Sequence, residues 1–173
     1  MSQFSDVIKN RYSVRSFTNQ PVEQEKIDAI IQAGMDAPTA VNAQPIKIWV
    51  LQSPQACKNA CDSLPFEWAK EAQVFFVVGT KATDAWVRGQ DGYNFADVDG
   101  AIVATHMMLT ITDQGLGSTW CGHFEPAILK KHFPDMNDYH LIAVFPTGYI
   151  NQGHEPNLRH FQSKSKEEMV QTY

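Results

Sequence analysis

Cysteine is scarce in this chain: three among 173 residues, at Cys57, Cys61 and Cys121. An odd, sparse set does not build a disulfide framework and fits reduced thiols. Cys57 and Cys61 can share a helix face, but no CxxC and no nearby histidine pair completes a four-ligand zinc site. No metal is expected. Long apolar runs are lacking too. None reaches the roughly 18 residues that a membrane span requires, and the opening MSQFSDVIKNRYS has no signal-peptide core. The expectation is a cytoplasmic protein with no membrane partner. Positive charge is in the minority, 14 Lys and Arg against 19 Asp and Glu, for a net charge of −5. That excludes the basic face of a general nucleic-acid binder and leaves room for a local basic pocket.

The familiar phosphate and nucleophile motifs are absent as well. There is no GxxxxGK[ST] and no GxSxG. Gly115, Gly117 and Gly122 in GLGSTWCG match neither the P-loop nor the dinucleotide GxGxxG spacing. A nucleoside-triphosphate, Rossmann or serine-hydrolase reading has no support.

What is present is an ordinary apolar fraction, 43%, in a length that suits one domain over residues 1–173. Residues 5–10 read as a short helix. Glu23, Gln24 and Glu25 open a second one, with Ile27, Ile30, Ile31 and Met35 near helical spacing, and Pro38 ends it. Residues 36–45 are a loop, 46–52 a strand, and Ser53-Pro54 caps a further helix. The continuous apolar run VFFVVGT, 74–80, reads as a buried central strand. Residues 81–96 are polar and aromatic without a period, which suggests a mobile or functional loop. Residues 97–114 form a helix apolar on most of its circumference, hence central or at a dimer interface. A glycine stop at 115 leads to a short strand or loop, 126–133 is helical, 139–150 is a strand, and the polar tail ends in a short helix near 164–170. The total is α+β, with helices mixed among roughly four strands.

Four polar stretches carry candidate chemistry. In RYSVRSF, Arg11 and Arg15 stand beside Tyr12 and Ser13. Arginine suits bidentate contact with phosphate or carboxylate, but a solvated basic turn is equally ordinary. In PTAVNAQP, Asn42 and Gln44 bring amides to an apolar loop, either to cap turns or to hydrogen-bond a planar heterocycle. In GLGSTWCGH, glycines permit close backbone approach to a ligand, or simply a tight turn into a buried strand. Arg159 lies with His160 in the polar tail.

Taken in order, R-x-S-x-R-x-F, A-P-[ST]-x-x-N-x-Q-P, a buried helix ending in G-L-G-S-x-W, and a strand ending in G-Y before an arginine resemble the nitroreductase family of flavin-dependent oxidoreductases, across almost the whole chain. The resemblance implies an α+β nitroreductase-like fold, with a central, mostly antiparallel sheet flanked by helices. It also implies a homodimer with FMN at the interface. By that resemblance Arg11, Ser13 and Arg159 bind the FMN phosphate, with Tyr12 beside them, and Arg15 faces the pyrimidine side of the ring. Pro38, Thr39, Ala40 and Asn42 pack on the ring from the partner chain, with Gln44 near. Cys121, Gly122 and His123 set backbone against the ring.

The implied activity uses NADH or NADPH to reduce nitroaromatics, quinones or related small acceptors in two half-reactions, by hydride transfer through the flavin N5. The ring carries the chemistry, so no catalytic side chain is named. A flavin-binding or sensing protein with little turnover is the alternative. Trp86, Tyr93 and Phe95 are expected to wall the pocket. The chain departs from the family pattern at Ile46, where many members have Trp, at Tyr12, and at Asn157, where a basic residue is frequent. Leu64 and Glu67 stand where larger members contact the ring through Asn and Lys.

Overall fold

The computed structural model describes residues 4–173. The helices are α1 (Phe4–Asn10), α2 (Gln24–Met35), α3 (Pro54–Cys61), α4 (Ala96–Asp113), α5 (Pro126–His132) and α6 (Lys166–Met169). The strands are β1 (Ile46–Leu51), β2 (Val74–Thr80), β3 (Gly117–Ser118) and β4 (His140–Gly148), and they form an antiparallel sheet in the order β1-β2-β4-β3. The architecture is the expected α+β one. No helix among the described residues is long and apolar enough to cross a membrane.

Apolar cores cover both faces of the sheet, which is why β2 reads as an unbroken apolar run. Phe75 and Val77 point to the core shared with α3 and α5, while Val74, Phe76 and Val78 point to the core shared with α2 and α4. All seven residues of β2 are buried. In β4 the alternation breaks. Val78 pairs with Ala143 but Gly79 pairs with Leu141, so Ile142 is an extra residue in the ladder. A bulge of this kind flips the side-chain parity, and Leu141 and Val144 fall on one face while Ala143 and Phe145 fall on the other.

Residues 81–96 depart from the mobile-loop expectation. Val87 bridges Asn94, and the Phe95 and Arg88 amides donate to the Trp86 and Tyr93 carbonyls. The Arg88–Asp91 ion pair closes the turn, and Trp86, Phe95 and Tyr93 pack edge to face at 5.0 and 5.2 Å. Local pairing of this kind has no apolar period and leaves no periodic signal in the sequence.

The stretch 11–18 lies along the β3 edge of the sheet. Ser13 bridges Ser118 in parallel, Phe17 bridges Ile150, and the Val14 amide donates to the Ser118 carbonyl at 3.0 Å. The approach is close because Gly117 has no side chain. A Cβ there would meet Val14 Cγ2 at 2.7 Å and Ile150 Cγ1 at 2.8 Å. Gly117→Ala should therefore destabilise the protein by about 1–3 kcal/mol, the range for overpacking, read as a lowered urea midpoint. An unchanged midpoint would show that the 11–18 segment is not clamped against β3.

Candidate functional site

The segment that runs beside β3 carries the basic residues. Its backbone is fixed at several points. The Thr119 hydroxyl donates to the Val14 carbonyl at 2.7 Å, and the Phe17 amide donates to a Glu71 carboxylate oxygen at 2.8 Å. The Ser16 hydroxyl donates to that same oxygen, and Asn151 donates to Ser16 Oγ and to the Phe17 carbonyl. Val14 and Phe17 are buried, and Ser13 and Arg15, on either side of Val14, turn outward.

There a pocket of about 380 Å³ opens, lined by Arg11, Tyr12, Ser13, Arg15, Asn157, Arg159 and His160. The tail is thus brought back to the N-terminal stretch, and three arginines separated by almost the whole chain meet. No carboxylate lines the pocket, and none of the three guanidiniums forms an ion pair among the described residues. Arg15 donates a side-chain N–H to the Ser13 carbonyl at 3.3 Å, and its amide donates to His154 Nε2 at 3.1 Å. The Tyr12 hydroxyl donates to the His154 carbonyl, its ring stacks on His154 at 5.9 Å, and His160 meets it edge-on at 6.2 Å. Burial, and then the charge of Glu155, pushes the Tyr12 phenol above its ordinary value. Tyr12 therefore stays neutral and offers no competing anion. A site of this composition is chemically suited to a phosphate group.

The turn after β3 sits beside it. The Cys121 amide and carbonyl are both bonded to Val144 of β4, and the side chain is buried. Cys121 therefore has no backbone donor to offer a ligand. Gly122 and His123 are exposed, and their amides donate to no acceptor among the described residues. The His123 ring packs edge-on against Phe66 at 5.9 Å, and Phe66 stacks on Trp68 at 5.3 Å. Leu64 is a core side chain, and Glu67 is ion-paired to Lys70 at 2.7 Å, so neither presents a donor here.

The remaining candidates lie elsewhere in the chain. Pro38, Thr39, Ala40, Asn42 and Gln44 form the loop between α2 and β1, on the opposite edge of the sheet from β3. Thr39 and Gln44 line a separate groove with Met35 and Ile48. One chain does not bring this loop to the arginine pocket. Trp86 and Tyr93 stand in the 81–96 hairpin, and Tyr93 borders a groove along α4 with Ala101, Ile102 and Thr105.

Sequence reasoning missed Glu71, His154 and Asn151, which hold the arginine segment. They act from 55, 139 and 135 residues away, and nothing in a local pattern signals them. Asn157 and His160 line the pocket beside Arg159, a placement visible only once the tail folds back.

The model of the nitroreductase family matches residues 8–64 and 53–149 of this chain. A Methanothermobacter thermautotrophicus protein named as an NADH dehydrogenase/NAD(P)H nitroreductase is 27% identical over 149 residues, covering 83% of this chain and 75% of that protein. The crystal structure of a nitroreductase family protein from Clostridium difficile 630 matches with a TM-score of 0.87 at 28% identity, over 99% of this chain and 98% of that one. A nitroreductase-type structure in complex with FMN, from Desulfovibrio desulfuricans, shares the fold with a TM-score of 0.82 at 20% identity, over 100% of this chain and 98% of its own.

The Cys121 thiol is not a nucleophile in this site. Burial pushes its pKa up to about 12, against a smaller opposing effect of Arg15. At pH 8 iodoacetamide should modify Cys121 at least tenfold more slowly in the folded protein than in urea, since the thiolate is the reactive form. The same shift fixes a sign. The raised folded value stabilises the protein below the unfolded thiol pKa, and that contribution is lost as pH rises from about 9 towards 12. Equal labelling rates, folded and unfolded, would remove both statements.

Proposed function

The chain belongs to the nitroreductase family, and we propose on that footing that it is an FMN-dependent oxidoreductase. It takes electrons from NADH or NADPH and delivers them to nitroaromatics, quinones or related small acceptors. The NAD(P)H-dependent class is that of its named relatives. The observation that carries the proposal is the pocket where Arg11, Arg15 and Arg159 converge with no carboxylate in its lining. Three guanidiniums held together repel one another, and a phosphate dianion between them reverses that balance.

FMN, when bound, supplies hydride transfer at its ring, chemistry that no side chain here provides. The chain's residues bind and orient. Arg11, Ser13 and Arg159 hold the phosphate, with the neutral Tyr12 packed beside it. Arg15 is assigned to the pyrimidine side of the ring, where a cation favours negative charge. Gly122 and His123 are assigned the backbone contact, because their amides are free while that of Cys121 is spent on β4. Pro38, Thr39, Ala40, Asn42 and Gln44 are assigned to the ring held by a second copy, which makes the working unit a homodimer.

Two features support the homodimer. The loop and the arginine pocket stand at opposite sheet edges in one chain. The α4 face bearing Ala101, Ile102, Met108 and Leu109 is also left only half-buried. The Trp86, Tyr93 and Phe95 cluster is assigned the selection of acceptors. The three free thiols suit the cytoplasm, where pyridine nucleotides are held.

The test is an anaerobic visible spectrum of the purified protein before and after NADH or NADPH. Flavin bands that bleach establish the reductase activity and its preferred nucleotide. Flavin bands that neither nucleotide bleaches would favour a binding or sensing role. Failure to bind FMN at all would overturn the proposal. Arg11→Ala should weaken FMN binding by about 1.5–3 kcal/mol, the value of a charge-assisted contact, measured by titrating FMN into apoprotein. An unchanged affinity would remove Arg11 from the phosphate site.

A further inference from the structure

Asp99 is the only fully buried carboxylate among the described residues, at 1% exposure. Its Oδ1 accepts the Ala40 amide at 2.9 Å, and its Oδ2 has no hydrogen-bond partner. Burying a carboxylate with one bond is unfavourable, and the α4 N-terminal turn in which it lies offsets only part of that cost. A neutral amide at this place would accept the same bond without carrying a charge into the core. The charge makes the bond roughly twice as strong.

The other end of that bond is a strained loop. Val41, Asn42 and Gln44 all have left-handed backbones, with φ of 49°, 58° and 50°. Asparagine tolerates this conformation, but a β-branched valine does not adopt it readily. Val41 is 74% exposed, so no core packing holds it there. Within the loop, the Asn42 amide donates to the Thr39 carbonyl, the Ala43 amide to the Ala40 carbonyl, and the Gln44 amide to the Thr39 hydroxyl. Beyond the adjoining β1, whose Ile46 amide donates to the Gln44 carbonyl at 2.8 Å, the Ala40–Asp99 bond is the sole hydrogen bond from residues 38–44 to another element among the described residues.

We propose that Asp99 is a positioning residue for the cofactor site. From inside the core it fixes the 38–44 loop in its strained shape, so that the loop meets the flavin of a second copy already formed. Binding then does not have to order the loop, a cost that would otherwise lower affinity. This inference rests on the FMN reading for its purpose, though not for the clamp itself.

The experiment uses the full chain with Asp99→Ala and Asp99→Asn. Amide hydrogen exchange of the 38–45 segment is followed in flavin-free protein, FMN affinity is titrated, and the thermal midpoint is recorded. Asp99→Ala should speed exchange in this segment by on the order of tenfold, without matching changes in β2 or β4. It should weaken FMN binding roughly tenfold. Asp99→Asn, whose amide oxygen still accepts, should fall between Ala and wild type on both readings, a graded rescue that loss of global stability alone does not produce. Exchange in 38–45 equal to wild type in the Ala variant would overturn the clamp, as would FMN binding weakened equally by Asn and Ala. If the Ala variant does not fold, the Asn variant decides: faster local exchange than wild type sustains the proposal, and equal exchange overturns it. Wild-type protein that binds no FMN would defeat the functional reading, while the exchange arm would still report on the clamp.

Discussion

The site depends on β4. On one side β4 pairs with β2, on the other with β3, and Val144 in its middle holds Cys121 through two backbone bonds. Just beyond its end, Ile150 bridges Phe17, and Asn151 holds Ser16 and Phe17. The arginine segment, the Gly122–His123 turn and the root of the tail all take their positions from this strand or its immediate continuation. Phe145 and Val144 are fully buried in opposite cores, so the strand cannot shift without opening both. A one-residue slip would also exchange its two faces.

Charge is distributed to match. The chain is acidic as a whole, yet three arginines are gathered where no acid lines the pocket. The carboxylate that touches the segment serves another end. Glu71 is committed to the Phe17 amide and the Ser16 hydroxyl, which orient the segment rather than neutralise it. The surface ion pairs Lys70–Glu67, Lys81–Asp84 and Arg88–Asp91 are all three residues apart and exposed. Such pairs add little stability. The arginine pocket is thus a local basic cavity in a chain that is acidic as a whole.

How much of this was legible in the sequence differed by element. β2 was read to its ends, 74–80, because a strand buried on both faces shows as a continuous apolar run. The strand expected at 46–52 ends at Leu51, and the helix expected at 97–114 spans Ala96–Asp113, differences of one residue where ends fray. β3 shrank to Gly117–Ser118, since only there does the backbone meet both β4 and the N-terminal segment. The hairpin in 81–96 was illegible because its order comes from an aromatic cluster and one ion pair, neither of which has a period. The gathering of Arg11 with Arg159 could not follow from spacing. The family resemblance proposed it, and the fold brings the two together. Asp99 was hidden completely: in DVDG it looks like the polar start of a helix, and its burial depends on how closely α4 lies on the sheet.

That closeness has its own cause. At Gly100 a Cβ would collide with Thr80 Cγ2 and come within 2.7 Å of Ile142 Cδ1. Without a side chain there, the first turn of α4 presses onto β2 and onto the bulge of β4. Asp99, next in line, is carried below the surface, where it reaches the Ala40 amide from the inner side of the loop. The bulge at Ile142, the glycine that fits it and the buried carboxylate beside that glycine form one connected arrangement. It links the central strand, from which the arginine pocket is hung, to the strained loop at the far edge of the sheet. The two halves of the proposed cofactor site therefore share a single rigid support, although one chain does not bring them together.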